Sequence, residues 1–429
     1  MKKIIPLRKY SFAIYGLGIS GKSVINYLKN KKVNEIFTWD DELFKNDKKK
    51  LSIFKSSLSK VDYIIISPGI SINKSIFQKH LFKNRNKIIT DLDLFYLENN
   101  SVKTIVITGT NGKSTTCKLL EHLFKTNKDD VQLGGNIGKP ILNLRIKKKT
   151  IVIIEASSFQ LAYSKFLRPN YAAILNITKD HLDWHLNMRH YIKSKFKIFS
   201  RQSKTDYALL KEEKLIRIFK KNNFKSKLLK VHNNILDNKI KKQINNFYLL
   251  SKPNIENLIF VSKFAKIFKI KNSIFLKAIN SFKGLPHRHE LFYKKKRISI
   301  INDSKATSFE ACKYSLEKNK NIFWIVGGLP KLGDRFKLKY LKKNILKAYI
   351  IGKNTTFFTK QLSKEINYKI SHNLKNAVID IIKDLKKFKN KSLTILLSPA
   401  SASYDQFNNF VDRGNQFKKM INLNAKKFI

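Results

Sequence analysis

The sequence predicts an α/β protein of three domains built on mostly parallel sheets. Two kinds of observation carry this. Ile151–Ile154 and Ala172–Leu175 are continuous apolar runs, the pattern of strands buried on both faces, and strand and helix signals alternate around them. The length, 429 residues, exceeds a single core and at ~150 residues per domain suggests three.

The first segment opens with a strand at Phe12–Tyr15 that runs into Gly16, Gly18 and Gly21, a GxGxxG turn before a helix. A second strand near Glu35–Trp39 ends in Asp40 and Asp41, about 20 residues on, as in a Rossmann-like fold. A third, Tyr63–Ile66, runs into Ser67-Pro68-Gly69. Taken alone the glycine turn fits a plain tight turn, NAD or FAD. A second phosphate-type turn downstream instead favours two phosphorylated molecules on separate domains.

That second turn is TGTNGKST, residues 108–115, after the apolar run Ile105–Ile107. A strand enters a glycine-bearing loop, and Lys113 with two hydroxyls opens a helix. Backbone N–H groups, a helix N-terminus and a lysine then hold a triphosphate. Gly109, Thr110, Asn111, Gly112, Lys113, Ser114 and Thr115 are therefore expected at ATP, in a P-loop-type domain. The strict pattern requires glycine five residues before Gly112, where this chain has Ile107, so the loop is shorter than the common one.

Glu155 follows the buried run Ile151–Ile154. It reads either as an exposed strand-end carboxylate or as a Mg²⁺ ligand, and a phosphate loop on the same sheet favours the metal. Asp180, His181 and Asp183 in NITKDHLDWH follow another buried run, which makes His181 a candidate beside metal or phosphate. Residues 221–247, rich in Lys and Asn, read as a surface excursion. A boundary is expected at Gly284-Leu285-Pro286. Beyond it, strands at Ile298–Ile301, Ile322–Val326, Tyr349–Ile351 and Leu393–Leu397 form a second Rossmann-like domain, with Arg288, Asp303, Lys305 and Thr307 near strand ends.

The formal net charge is +57, from 87 Lys+Arg against 30 Asp+Glu. Such a charge would ordinarily suggest nucleic acid or an anionic membrane. Here the lysines are spread evenly among Ile, Asn and Phe, so a nucleic-acid-binding ATPase is the weaker reading and a compositional drift the stronger. Cys117 and Cys312 are far apart, which points to neither a disulfide framework nor a zinc site. Arg8 and Lys9 interrupt the apolar start, and no run reaches the ~18 apolar residues of a membrane span. A cytoplasmic protein, with no membrane or nucleic-acid partner, is expected.

TGTNGKST, GGNIGKP, EASSFQL, NITKDHLDWH, GLPHRHE, INDSKAT and SPASASYDQF occur in this order, and the chain resembles the Mur ligases of peptidoglycan synthesis over nearly its whole length. The short phosphate loop is shared with sister amide ligases such as folylpolyglutamate synthase. NDSKAT and SPASASxDQF resemble the D-glutamate-adding branch. The resemblance implies an ATP-dependent ligase, acting as a monomer on UDP-N-acetylmuramoyl-L-alanine and D-glutamate through an acyl phosphate, with two Mg²⁺ ions.

It also implies domains at 1–98 (UDP-sugar), 99–283 (ATP) and 284–429 (incoming amino acid). Gly18, Ile19, Ser20, Asp40, Ser67, Pro68 and Gly69 would meet the UDP part, and Asn136 and His181 the rest of that substrate. Lys113, Ser114 and Thr115 would hold the β- and γ-phosphates, with Ser114 and Glu155 on one magnesium. Lys195, flanked by Lys193 and Lys197, would carry a CO₂-derived carbamate on a second magnesium beside His181. Asn254 and Asn257 would contact adenine, although Pro253 stands where the family usually has His. Arg288 and Asp303 would approach the nucleotide. Lys305, Thr307, Lys331, Ser403, Tyr404 and Phe410 would form the D-glutamate pocket, with Lys305 also counted among the catalytic residues.

Overall fold

The computed structural model describes residues 6–236, 238–250, 252–363, 365–388 and 391–428. The side chain of Pro253 lies outside the described residues, so the expectation placed on it is not addressed. The chain divides into two compact units, Met1–Phe282 and Lys283–Ile429.

The first unit carries two parallel sheets. One contains β1 (Phe12–Tyr15), β2 (Ile36–Trp39), β3 (Tyr63–Ile66) and β4 (Ile88–Ile89) in the order β2-β1-β3-β4. The other contains β5 (Lys103–Thr108), β6 (Val131–Gly135), β7 (Ile151–Glu155), β8 (Tyr171–Ile174), β9 (Tyr207–Leu210) and β10 (Lys227–Lys230), in the order β10-β9-β8-β5-β7-β6. β5 is central, paired with β7 on one side and β8 on the other, so the residues that follow these three strands share one sheet edge. The helix Lys113–Thr126 buries Cys117, Leu119, Leu120, Leu123 and Phe124 in this unit's core.

Residues 221–247 correct the sequence expectation. They supply β10, and Val231, Ile235, Leu236, Ile240 and Ile244 are buried in the core. Lysines on the solvent side of an edge element hide its apolar spacing.

The second unit holds one sheet. It contains β11 (Glu290–Lys295), β12 (Ile298–Asn302), β13 (Ile322–Gly327), β14 (Ile345–Ile351), β15 (Tyr368–His372) and β16 (Leu393–Leu397), in the order β11-β12-β16-β13-β14-β15. β11 is antiparallel to β12, and the remaining pairs are parallel. No described helix is long and apolar enough to cross a membrane.

One buried carboxylate ties the two sheets of the first unit together. Asp93, fully buried, accepts at Oδ2 from Thr90 N–H (2.9 Å) and Thr90 Oγ1 (3.1 Å). Its Oδ1 accepts from Ser164 Oγ (2.7 Å), Lys165 N–H (2.8 Å) and Phe166 N–H (2.6 Å), all beyond β7. Asp93→Ala strands these donors in the interior, where each unmade bond is expensive. It is expected to cost about 3 kcal/mol or more in urea unfolding. A loss below about 1 kcal/mol would show that Asp93 does not couple the sheets.

Candidate active site

The phosphate loop is held from two sides. Gly112 takes a left-handed conformation (φ 83°) just before the helix Lys113–Thr126, which turns the backbone so that the helix N-terminus opens outward. A Cβ on Gly112 would lie 2.0 Å from Oδ1 of Asn257. Asn257 accepts from Thr116 Oγ1 (3.2 Å) and donates to Asn254 Oδ1 (3.2 Å), and both asparagines are buried. The expected adenine pair thus stands against the loop and the first turn of its helix. On another side, Asn176 follows β8 and accepts at Oδ1 from Asn111 N–H (2.9 Å), while Thr110 Oγ1 lies 3.0 Å from the hydroxyl of Tyr191.

Two lysines end on this loop. Lys113 Nζ donates to the carbonyls of Gly109 and Thr110, each at 2.8 Å. Lys195, on the helix Met188–Phe196, is 1% exposed, donates to the same Gly109 carbonyl at 2.8 Å and stands 4.7 Å from the Tyr191 ring centroid. Burial and then the charge of Lys113 push the Lys195 ammonium well below the ordinary lysine range, against the pull of Asp180 and Glu155. The neighbouring Lys193 is exposed, whereas Lys197 donates to Ala162 O. Of the three lysines, Lys195 is the one that donates to the loop.

Glu155, at the end of β7, is 1% exposed. Its Oε1 accepts from Asn136 Nδ2 (2.8 Å), and its buried Oε2 has no hydrogen-bond partner among the described residues. A buried carboxylate oxygen without a donor is costly, and a hard cation relieves it. The donor set therefore fits Mg²⁺, with Ser114 buried at the start of the adjacent helix. His181 is left-handed (φ 53°), and its Nε2 lies 3.3 Å from Asp180 Oδ2. Burial holds its imidazole below the ordinary value; Asp180 opposes this, and the charges of Lys113 and Lys195 add to it, which favours the neutral ring a metal requires. Among the described residues no three His, Cys, Asp or Glu side chains gather as a metal cluster. An ion here would draw on other oxygens as well.

At the first sheet's edge, Gly21 packs so closely that a Cβ would lie 1.9 Å from the Gly16 carbonyl, whereas Gly18 and Gly69 face open space. Ile19 is 79% exposed at the start of its helix. Asp40 accepts from Leu17 N–H (2.7 Å), Glu42 N–H (3.1 Å) and Leu43 N–H (3.2 Å). Burial raises its pKa, but these donors and Lys22 outweigh that and hold it below the ordinary value. Ser67 Oγ donates to Gly16 O (2.8 Å), and Ser67 and Pro68 are half-buried beside the turn. Asp41, itself exposed, accepts from Tyr15 OH (2.7 Å) and Trp39 Nε1 (2.8 Å).

In the second unit, Asp303 is buried after β12. It accepts from His289 N–H (3.0 Å), Ser315 Oγ (2.6 Å) and Ser398 Oγ (3.0 Å). Burial raises its carboxyl to about 6 against those donors. Arg288 lies between the left-handed His287 and His289 and acts on Asp303 through its charge. Lys305 Nζ stands 3.9 Å from the Phe410 ring centroid, so INDSKAT meets the helix Phe410–Leu423. Thr307 is half-buried, Ser403 buried, and Lys331 and Tyr404 exposed.

Sequence reasoning gave no role to Asn176 or Tyr191. The signal for Asn176 is its place directly after the buried run ending at Leu175, and nothing in the sequence singles out Tyr191.

A phosphate loop, a buried strand-end carboxylate and a buried lysine on one parallel sheet edge define an enzyme class that acts on nucleoside triphosphates. The chain belongs to the Mur ligase family. Residues 107–277 match the Mur ligase middle domain. UDP-N-acetylmuramoylalanine–D-glutamate ligase of Rickettsia felis is 35% identical over 442 residues, covering 96% of this chain and 97% of the relative. MurF ligase of Thermotoga maritima, solved in complex with ADP, shares the fold at a TM-score of 0.58 and 17% identity, with 100% of each chain covered. UDP-N-acetylmuramate–alanine ligase MurC of the same organism also shares the fold, at 0.58 and 16%, over 96% of this chain and 99% of that one.

Gly112→Ala is expected to weaken ADP binding at least about tenfold in calorimetry, because the methyl group and the positive φ both force the loop off Asn257. Unchanged affinity would separate Asn257 from loop geometry.

Proposed function

We propose that this chain is a cytoplasmic ATP-dependent ligase that joins D-glutamate to UDP-N-acetylmuramoyl-L-alanine in peptidoglycan precursor synthesis. Lys113, Lys195 and Glu155 gathered around one phosphate loop carry the chemistry of this reading. The acceptor rests on the D-glutamate ligase that matches over 96% of this chain.

A carboxylate resists attack by an amine because its charge repels the nucleophile and oxide is a poor leaving group. Attack of the alanyl carboxylate on the γ-phosphorus of ATP gives an acyl phosphate and ADP. The D-glutamate amine then adds to the acyl carbon, and the tetrahedral intermediate expels phosphate and leaves the amide. Lys113 and the helix N-terminus hold the β- and γ-phosphates and offset the charge that spreads over the transferring group. Asn254 and Asn257 brace the loop from the adenine side, and Arg288 and Asp303 are assigned to the nucleotide. Gly18, Ile19, Ser20, Asp40, Ser67, Pro68 and Gly69 receive the UDP group, with Asn136 and His181 toward the reacting end. Lys305, Thr307, Lys331, Ser403, Tyr404 and Phe410 orient the amino acid, as proximity requires.

Ser114, Glu155, His181 and a carbamate on Lys195 would hold Mg²⁺, which when bound neutralises phosphate charge. A neutral Lys195 amine adds to CO₂ and loses one proton to become N–COO⁻. This converts a cation that would repel a metal into a ligand for one.

ADP release in the presence of UDP-N-acetylmuramoyl-L-alanine should depend on D-glutamate and not on L-glutamate or L-lysine. Turnover supported by L-lysine, or stimulated by DNA or RNA without D-glutamate, would overturn the reading. Lys195→Ala is expected to lose about 100-fold in kcat and to regain part of it with a short-chain carboxylic acid. Full activity without added acid would remove the carbamate.

A further inference from the structure

Arg413, on the helix Phe410–Leu423, is only 1% exposed. Its Nε donates to Ser304 Oγ at 3.0 Å, and its Nη2 donates to the carbonyls of Ser304 at 2.8 Å and Ser401 at 3.0 Å. Its Nη1 is buried and has no hydrogen-bond partner among the described residues. A Cβ on Gly328 would lie 3.4 Å from that atom, so the open edge of the guanidinium sits beneath the GGLPK turn. Asp405 acts on the arginine through its charge without pairing with it, and accepts instead from Lys353 N–H at 3.0 Å.

A buried guanidinium nitrogen without an acceptor carries a cost that an anion bound nearby would offset. The three segments around Arg413 are the strand ends that carry the proposed acceptor residues: Ser304 precedes Lys305 and Thr307, Gly328 precedes Lys331, and Ser401 precedes Ser403. We propose that Arg413 is a positioning residue for the amino-acid acceptor. It ties the strand ends at Ser304 and Ser401 together beneath Gly328, and its buried Nη1, whose positive charge Asp405 only partly offsets, favours an acceptor that brings carboxylates. The fork of the guanidinium reaches a hydroxyl and two carbonyls at once, which a lysine ammonium on a flexible stem does not reproduce. The assignment rests on the reading that the C-terminal unit takes D-glutamate.

Steady-state kinetics of the full chain with ATP, UDP-N-acetylmuramoyl-L-alanine and D-glutamate, on Arg413→Met and Arg413→Lys, test it. The expected result is a KM for D-glutamate raised at least about tenfold in Arg413→Met and less in Arg413→Lys, with kcat and the KM for ATP within about twofold. An unchanged KM for D-glutamate would overturn the assignment. So would a joint change in kcat and both KM values, the mark of a merely structural residue. If Arg413→Met does not fold, Arg413→Lys decides: a raised KM for D-glutamate with kcat and the KM for ATP unmoved supports the assignment, and an unchanged KM for D-glutamate overturns it. Should the wild type release ADP only with another amino acid, the D-glutamate reading fails, and the same comparison made with that amino acid still decides the role of Arg413.

Discussion

Two ammonium groups, those of Lys113 and Lys195, converge on a single oxygen, the carbonyl of Gly109. Burial and the charge of Lys113 both disfavour a charged Lys195, and the pull of Asp180 and Glu155 only partly opposes them. On the proposed reading, phosphates at Lys113 and loss of the proton at Lys195 would relieve this crowding of charge. Glu155 presents the opposite defect at the same sheet edge, a buried carboxylate oxygen without a donor. The carboxylate proposed on Lys195 would give both defects one remedy, a divalent cation among oxygens.

The surrounding geometry serves that edge. Asn257 blocks any side chain at Gly112 and so fixes the turn, while Asn176 and Tyr191 hold Asn111 and Thr110 from the other side. Asp93 locks the segment after β7 to the first sheet. The second unit repeats this logic with opposite charge. There Arg413 is the buried group left short of a partner, placed under the strand ends that would meet an acidic amino acid.

Much of this was legible in the sequence because central parallel strands must be apolar on both faces. The runs at β1, β3, β7 and β16 stand out for that reason, and so does the glycine-lysine loop after β5. The edge strands β10 and β11 were not legible: β10 is bounded by Lys227 and Lys230, and β11 ends in two lysines, so solvent-facing charge masks the pattern. Motif order located Lys195, Asn254 and Asn257, but only packing shows two lysines meeting at Gly109 or an asparagine filling the space over Gly112. Arg413 looks like any of the 87 cations until its burial is seen, since a helix from one end of the unit and loops from another create it.

The central claim is that the crowding of charge at Gly109 is resolved by a carbamate on Lys195. Carbon-13 NMR of the protein equilibrated with ¹³C-labelled CO₂ tests it directly. The account predicts a protein-bound carbamate resonance that disappears in Lys195→Met and persists in Lys193→Met and Lys197→Met. A resonance that survives Lys195→Met, or none in the wild type, would contradict it.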